Sequence, residues 1–169
     1  MTTMTATRPQ AQFFNLKSQF LSQGRLDNIV ATTPLLSVVV KVYASGGENA
    51  MHMHANEDHS FIVLQGQATF RINSDDNIKV VNKNEGVMLP RGVLYWFQSS
   101  AAENLVMLRV GGGVRNVKGL DDLTPFGAPK DVTKQTGFAD GSTKVGDDPR
   151  NGETAKKRIY AKGKFFAPS

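Results

Sequence analysis

Between Asn28 and Val110 the apolar residues recur at every second position, in short bursts separated by clusters of turn-forming residues. A period of two sends successive side chains to opposite faces, the mark of a strand with one buried face. The pattern predicts strands over Asn28–Ala31, Leu36–Tyr43, Ala50–His54, His59–Leu64, Gln67–Asn73, Ile78–Val81, Gly86–Pro90, Val93–Gln98 and Asn104–Val110. Ser74-Asp75-Asp76-Asn77 and Asn82-Lys83-Asn84-Glu85 are the clearest turns between them. Short, evenly spaced strands without crossover helices predict an all-β antiparallel sandwich or barrel.

The period differs at both ends. Phe13, Phe14, Leu16, Phe20 and Leu21 fall on one arc of a helical wheel, with Gly24 placed as a C′ residue, so a short N-terminal helix is expected. After Gly111-Gly112-Gly113 the chain turns polar, with scattered apolar residues such as Leu120, Leu123, Phe126 and Phe138. That stretch is too polar for a second core and reads as an irregular extension, draped over the barrel or over a neighbouring subunit. The expected organisation is an N-terminal helix and arm over 1–27, a barrel over 28–114 and a basic extension over 115–169.

Composition narrows the chemistry. The chain has 169 residues, enough for one domain with a real core and short for two. It has no cysteine, which excludes disulfides, thiolate ligands and cysteine nucleophiles. Residues 1–10 lack an apolar h-region and no run approaches a membrane span, so a cytoplasmic protein without membrane contact is expected. Of the net charge of +5, most lies beyond residue 114, where 11 Lys and Arg face 7 Asp and Glu. Lys156-Lys157-Arg158, Lys162 and Lys164 are of a kind to touch phosphates, but no nucleic-acid motif accompanies them, so a solvated basic terminus is the favoured reading.

All three histidines, His52, His54 and His59, lie within eight positions. Alternation puts His52 and His54 on one strand face. If Ala55-Asn56-Glu57-Asp58 makes a four-residue hairpin loop, His54 stands opposite His59, with Cβ atoms about 4.5–5.5 Å apart. In that register Asp58 points away and Glu57 sits in the turn, so the expected metal triangle is His52, His54 and His59. Imidazole ligands suit a divalent transition metal, Fe, Ni, Cu, Mn or Zn.

The stretch resembles the first cupin motif, Gly-x5-His-x-His-x3,4-Glu-x6-Gly, with Gly46, His52, His54 and Gly66 in place. Pro90-Arg91-Gly92 is similar to part of the second motif, Gly-x5-Pro-x-Gly-x2-His-x3-Asn, and the resemblance runs over roughly residues 35–112. His59 stands where the family usually has Glu and Tyr95 where it usually has His, while Asn84 and Ser99 replace the second motif's leading Gly and its Asn. The resemblance implies a double-stranded β-helix, a small jelly-roll barrel, commonly a homodimer.

Three neutral imidazoles would leave a divalent ion its full charge and favour anionic chelators. Tyr95 has three available roles: a fourth ligand as phenolate, a proton donor or acceptor as phenol, or packing within the aromatic strand Leu94-Tyr95-Trp96-Phe97. Phe61, Val63, Met88 and Phe97 are the candidate apolar wall of a small-molecule pocket, and Arg71, Arg91 and Arg109 are candidates to hold a carboxylate. The leading expectation is a metal-dependent dioxygenase acting on a flavonol-, catechol- or diketone-like compound. The rivals are a cupin isomerase or lyase, and a barrel that binds or senses a small ligand without catalysis.

Overall fold

The computed structural model describes residues 10–44, 51–54, 56–113, 142–144 and 157–168. Its strands are β1 (Ser18–Gln23), β2 (Arg25–Thr32), β3 (Leu36–Tyr43), β4 (His52–His54), β5 (Glu57–Gln65) and β6 (Gln67–Ile72). The rest are β7 (Ile78–Asn82), β8 (Gly86–Leu89), β9 (Tyr95–Ser99), β10 (Leu105–Gly113), β11 (Ser142–Lys144) and β12 (Ile159–Phe166). All pairings are antiparallel.

Ten strands form two five-stranded sheets, in the orders β2-β3-β10-β5-β8 and β11-β4-β9-β6-β7. Their inner faces enclose one core of Tyr43, Phe61, Val63, Phe70, Tyr95, Phe97, Leu105 and Met107, among others. Among the described residues the sheets do not join, and each keeps two edges. This corrects the expected closed barrel: the all-β class stands, but the architecture is a pair of open, facing sheets. Period-two alternation fixes which face of a strand is buried and leaves closure undecided, because closure depends on pairing between the outermost strands.

The expected N-terminal helix is also absent, and no described residue is helical. Ser18–Gln23 is instead a strand paired with β12, with Ser18 opposite Phe166. This two-stranded sheet lies on the outer face of the first five-stranded sheet, where Leu21 and Phe166 pack with Val40, Val42, Ala44 and Val106. A helix this short is marginal in water, and non-local pairing overrides the local periodicity. Gly24, read as a helix cap, turns the chain from β1 into β2 at φ 81°. The last third of the chain, read as irregular, contributes β11 to one sheet and β12 to the outer layer.

Inward and outward residues separate cleanly on the strands that carry the site. On β10, Leu105 and Met107 join the inner core while Val106 packs in the outer cluster. On β5, Phe61 and Val63 face inward. By the same alternation Glu57, His59, Arg109 and Gly111 face inward too.

Candidate metal centre

The chain between β4 and β5 crosses from one sheet to the other. The two strands are not a hairpin: β4 pairs with β9 and β11, whereas β5 pairs with β10 and β8. His54 therefore meets His59 across the gap between sheets, with ring centroids 4.0 Å apart. The crossing also brings Glu57 out of its expected turn and onto β5, two residues before His59 on the same face, where both are almost wholly buried.

His54, Glu57 and His59 each offer a ligand atom, and these atoms all lie within 4.8 Å of one another. The compact group is thus two imidazoles and a carboxylate, in place of the expected triangle of three histidines. His52 lies beside it, half-buried, its ring centroid 5.2 Å from that of His54 and 4.5 Å from that of Tyr95. The signal for Glu57 is its spacing from His59, since i and i+2 share a strand face once β5 begins two residues earlier than expected.

Hydrogen bonds fix the orientation of His59. Its Nε2 lies 2.9 Å from Glu57 Oε2 and its Nδ1 lies 3.1 Å from the Tyr95 hydroxyl. An ionised carboxylate only accepts, so Nε2–H donates to Glu57 and Nδ1 accepts from the Tyr95 O–H. The chain Tyr95–His59–Glu57 is therefore a directed relay. Burial lowers the His59 pKa, partly opposed by the hydrogen bond to Glu57, and keeps the ring neutral. Burial, followed by the charges of His59 and His52, pushes His54 far below the usual imidazole range. His54 Nδ1 is buried and has no partner among the described residues. A neutral imidazole with an orphaned nitrogen next to a carboxylate is a donor set suited to a metal ion. The residues fit the group that the first motif implies.

Two further features shape the site. Pro90-Arg91-Gly92 ties down both ligand strands: Gly92 N donates to His54 O at 2.9 Å, and Arg91 donates through N, Nε and Nη2 to the Asp58 carboxylate at 2.8–3.0 Å. The hydrogen bond from Arg91 holds the Asp58 carboxyl below its ordinary range. Gly111 lies in register between Ser37 on β3 and His59 on β5. A Cβ there would come 2.9 Å from Ser37 Oγ and 3.2 Å from both Glu57 Oε2 and His59 Cδ2, so the absence of a side chain lets these groups pack closely against the β10 backbone.

The other expected site residues are placed as follows. Phe61 borders the site, its ring centroid 5.8 Å from those of His59 and Tyr95. Val63 and Phe97 are fully buried deeper between the sheets. Met88 is 64% exposed on β8 and lines no interior wall, a correction to the expected pocket. Leu89, its neighbour, supplies the buried side chain of that strand, because the inward register of β8 is one residue out from the expected one. Gly46 lies outside the described residues.

The cupin family model matches residues 25–115. The chain belongs to the cupin family. Its metal-binding motif is a variant one, of His54, Glu57 and His59. Among solved structures this cupin is similar to the cupin domain of Schizosaccharomyces pombe Cnp3, with 19% identity, TM-score 0.50, and coverage of 55% of this chain and 67% of that one. It is also similar to an uncharacterized conserved protein with a double-stranded β-helix domain from Klebsiella pneumoniae (19% identity, TM-score 0.49, 54% and 78% covered). A third is KdgF from Halomonas sp. (20% identity, TM-score 0.47, 53% and 81% covered). The likeness to the Cnp3 domain is one of fold. No curated protein matches this cupin in sequence.

Proposed function

We propose that this cupin is a metal-dependent enzyme acting on a small chelating oxygenated compound, with dioxygenase chemistry on a flavonol-, catechol- or diketone-like substrate as the leading form. The observation that carries the reading is the buried cluster of His54, Glu57 and His59 with the orphaned His54 Nδ1. These three residues would hold the ion, with His52 the further imidazole beside them. When bound there, a divalent ion supplies Lewis-acid and, if redox-active, electron-transfer chemistry. Glu57 cancels half of a divalent charge, so the site keeps a net positive charge and favours an anionic chelator.

The protein's own groups do the rest. Tyr95 fixes the ring of His59; with an ion on Nε2 the ring proton would sit on Nδ1 and be donated to the Tyr95 oxygen, the outer hydrogen bond that metal-bound histidines commonly have. Phe61 walls the site with apolar surface and excludes water on that side. A second reading, a cupin isomerase or lyase, is favoured by the relay itself: Tyr95–His59–Glu57 can pass a proton toward or away from a bound substrate at the Tyr95 hydroxyl.

Elemental analysis of the purified protein, beside His59→Ala, tests the metal reading. The expected result is one transition metal per chain in the wild type and its loss in the variant. A wild type that binds none after loading with iron, nickel, copper, manganese or zinc ends it. Oxygen consumption with flavonols, β-diketones and catechols then separates the two chemistries, since the isomerase or lyase reading consumes none.

A further inference from the structure

Among the described residues, Lys41, Arg91 and Arg109 are the buried or half-buried cationic side chains on the inner faces or the ligand loops, and two of them are ion-paired. Lys41 Nζ is paired with Asp27 at 2.9 Å. Arg91 is paired with Asp58 on both its oxygens. Arg71, whose Nη1 is also buried without a partner among the described residues, lies on the outer face of β6 over the Trp96 ring, away from the site. Arg109 is the third, inward and with no ion pair. It faces the interior of β10, one inward position before Gly111, about 6.7 Å along the strand. Its Nη2 donates only a long hydrogen bond, 3.4 Å, to Ser37 Oγ, which packs against Gly111 beside Glu57 and His59. Its Nε is buried and donates to nothing among the described residues. Its charge reaches both His54 and His59, where it adds to burial in keeping the rings neutral.

A buried charged donor without an acceptor is costly, and the guanidinium fork matches the two oxygens of a carboxylate. We propose that Arg109 is the substrate-carboxylate anchor of this site, so that its ligand is a small organic acid with one carboxylate on Arg109 and a second oxygen donor directed to His54, Glu57 and His59. One guanidinium without an ion pair among the described residues matches one carboxylate, whereas a phosphate dianion calls for more than one cation. The proposal rests on the metal-dependent reading of the same site and narrows its substrate to hydroxy and keto acids, in place of flavonols, catechols or simple diketones that carry no carboxylate.

The test is calorimetric titration of the full chain, zinc-loaded and metal-free, with glycolate, 3-hydroxybutyrate and 4-oxopentanoate, each beside its primary amide. At least one acid is expected to bind the wild type tenfold or more tightly than its amide. Arg109→Gln is expected to lose that preference while its affinity for zinc and its affinity for the amides stay unchanged. Arg109→Lys, which keeps the charge without the fork, falls between the two. Equal binding of acids by wild type and Arg109→Gln overturns the proposal, as does a wild type that binds no acid better than its amide. The acid-against-amide comparison needs no variant, so it decides even if Arg109→Gln folds poorly. Failure of zinc to bind the wild type ends the metal reading alone, because the metal-free titrations still decide whether Arg109 selects carboxylates.

Discussion

Glu57 Oε2 accepts the His59 Nε2 proton and belongs to the group that would hold an ion, so a proton and a metal compete for the same space. Metal uptake at Nε2 then moves the ring proton to Nδ1, where the Tyr95 oxygen accepts it, because the ring is already neutral. Titrating zinc in buffers of different ionisation enthalpy should therefore show close to no net proton release per ion at about pH 7. Glu57→Gln should bind zinc at least ~10-fold more weakly. A second residue-scale consequence concerns Lys41, 6% exposed, whose pKa is lowered by burial and held up by Asp27. Asp27→Asn leaves that ammonium buried without its partner. Because the Asp27 carboxylate is half exposed and partly screened by water, the loss should be about 1–2 kcal/mol. The sign with pH follows from linkage. In the variant the folded state gives up the Lys41 proton at lower pH than the unfolded chain, so the unfolded state binds more protons and stability rises from pH 7 toward 10. Denaturant melts at three pH values read this directly; a flat profile would show that water already compensates Lys41.

At the scale of elements, β12 makes a non-local contribution that no local pattern announces. Phe166, 7% exposed, closes the outer cluster over Val40, Val42 and Val106. Phe166→Ala should cost about 3 kcal/mol, measured by chemical denaturation, whereas the exposed Phe13→Ala should cost almost nothing. The same contrast explains what the sequence made legible. Strand positions from Leu36 to Val110 were readable because each has one face against a core, and that imprints a period of two. The helix expected at Phe13–Leu21 was misread because its partner, β12, lies about 140 positions away and leaves no mark on the local period. The crowding of His52, His54 and His59 was legible as metal chemistry, but Glu57 was not. Its placement depends on whether β4 and β5 pair within one sheet or belong to different ones, and the polar sequence between them does not distinguish the two. Met88 shows the sensitivity of such readings, since a one-residue register shift on β8 exchanges it with Leu89.

On the scale of the whole molecule, stability and ligation are linked. An ion that binds the folded chain and not the unfolded one raises the melting temperature with its concentration. Saturating zinc at about 100-fold above its dissociation constant should add roughly 2.7 kcal/mol. Thermal scans should show that gain in the wild type and its disappearance in His59→Ala. The separation of β4 and β5 into different sheets gives this linkage a direction. His54 belongs to one sheet, Glu57 and His59 to the other, and among the described residues each sheet ends in unpaired edges. An ion shared between them is a rivet through two plates otherwise joined by the apolar core and a few hydrogen bonds, such as that of Tyr95 to His59. Metal loading should therefore slow amide exchange in β4 and β5 together, and in β9 and β10 that flank them, while leaving β7 at its far edge unchanged. The protein would report its metal content as the stiffness between its two halves.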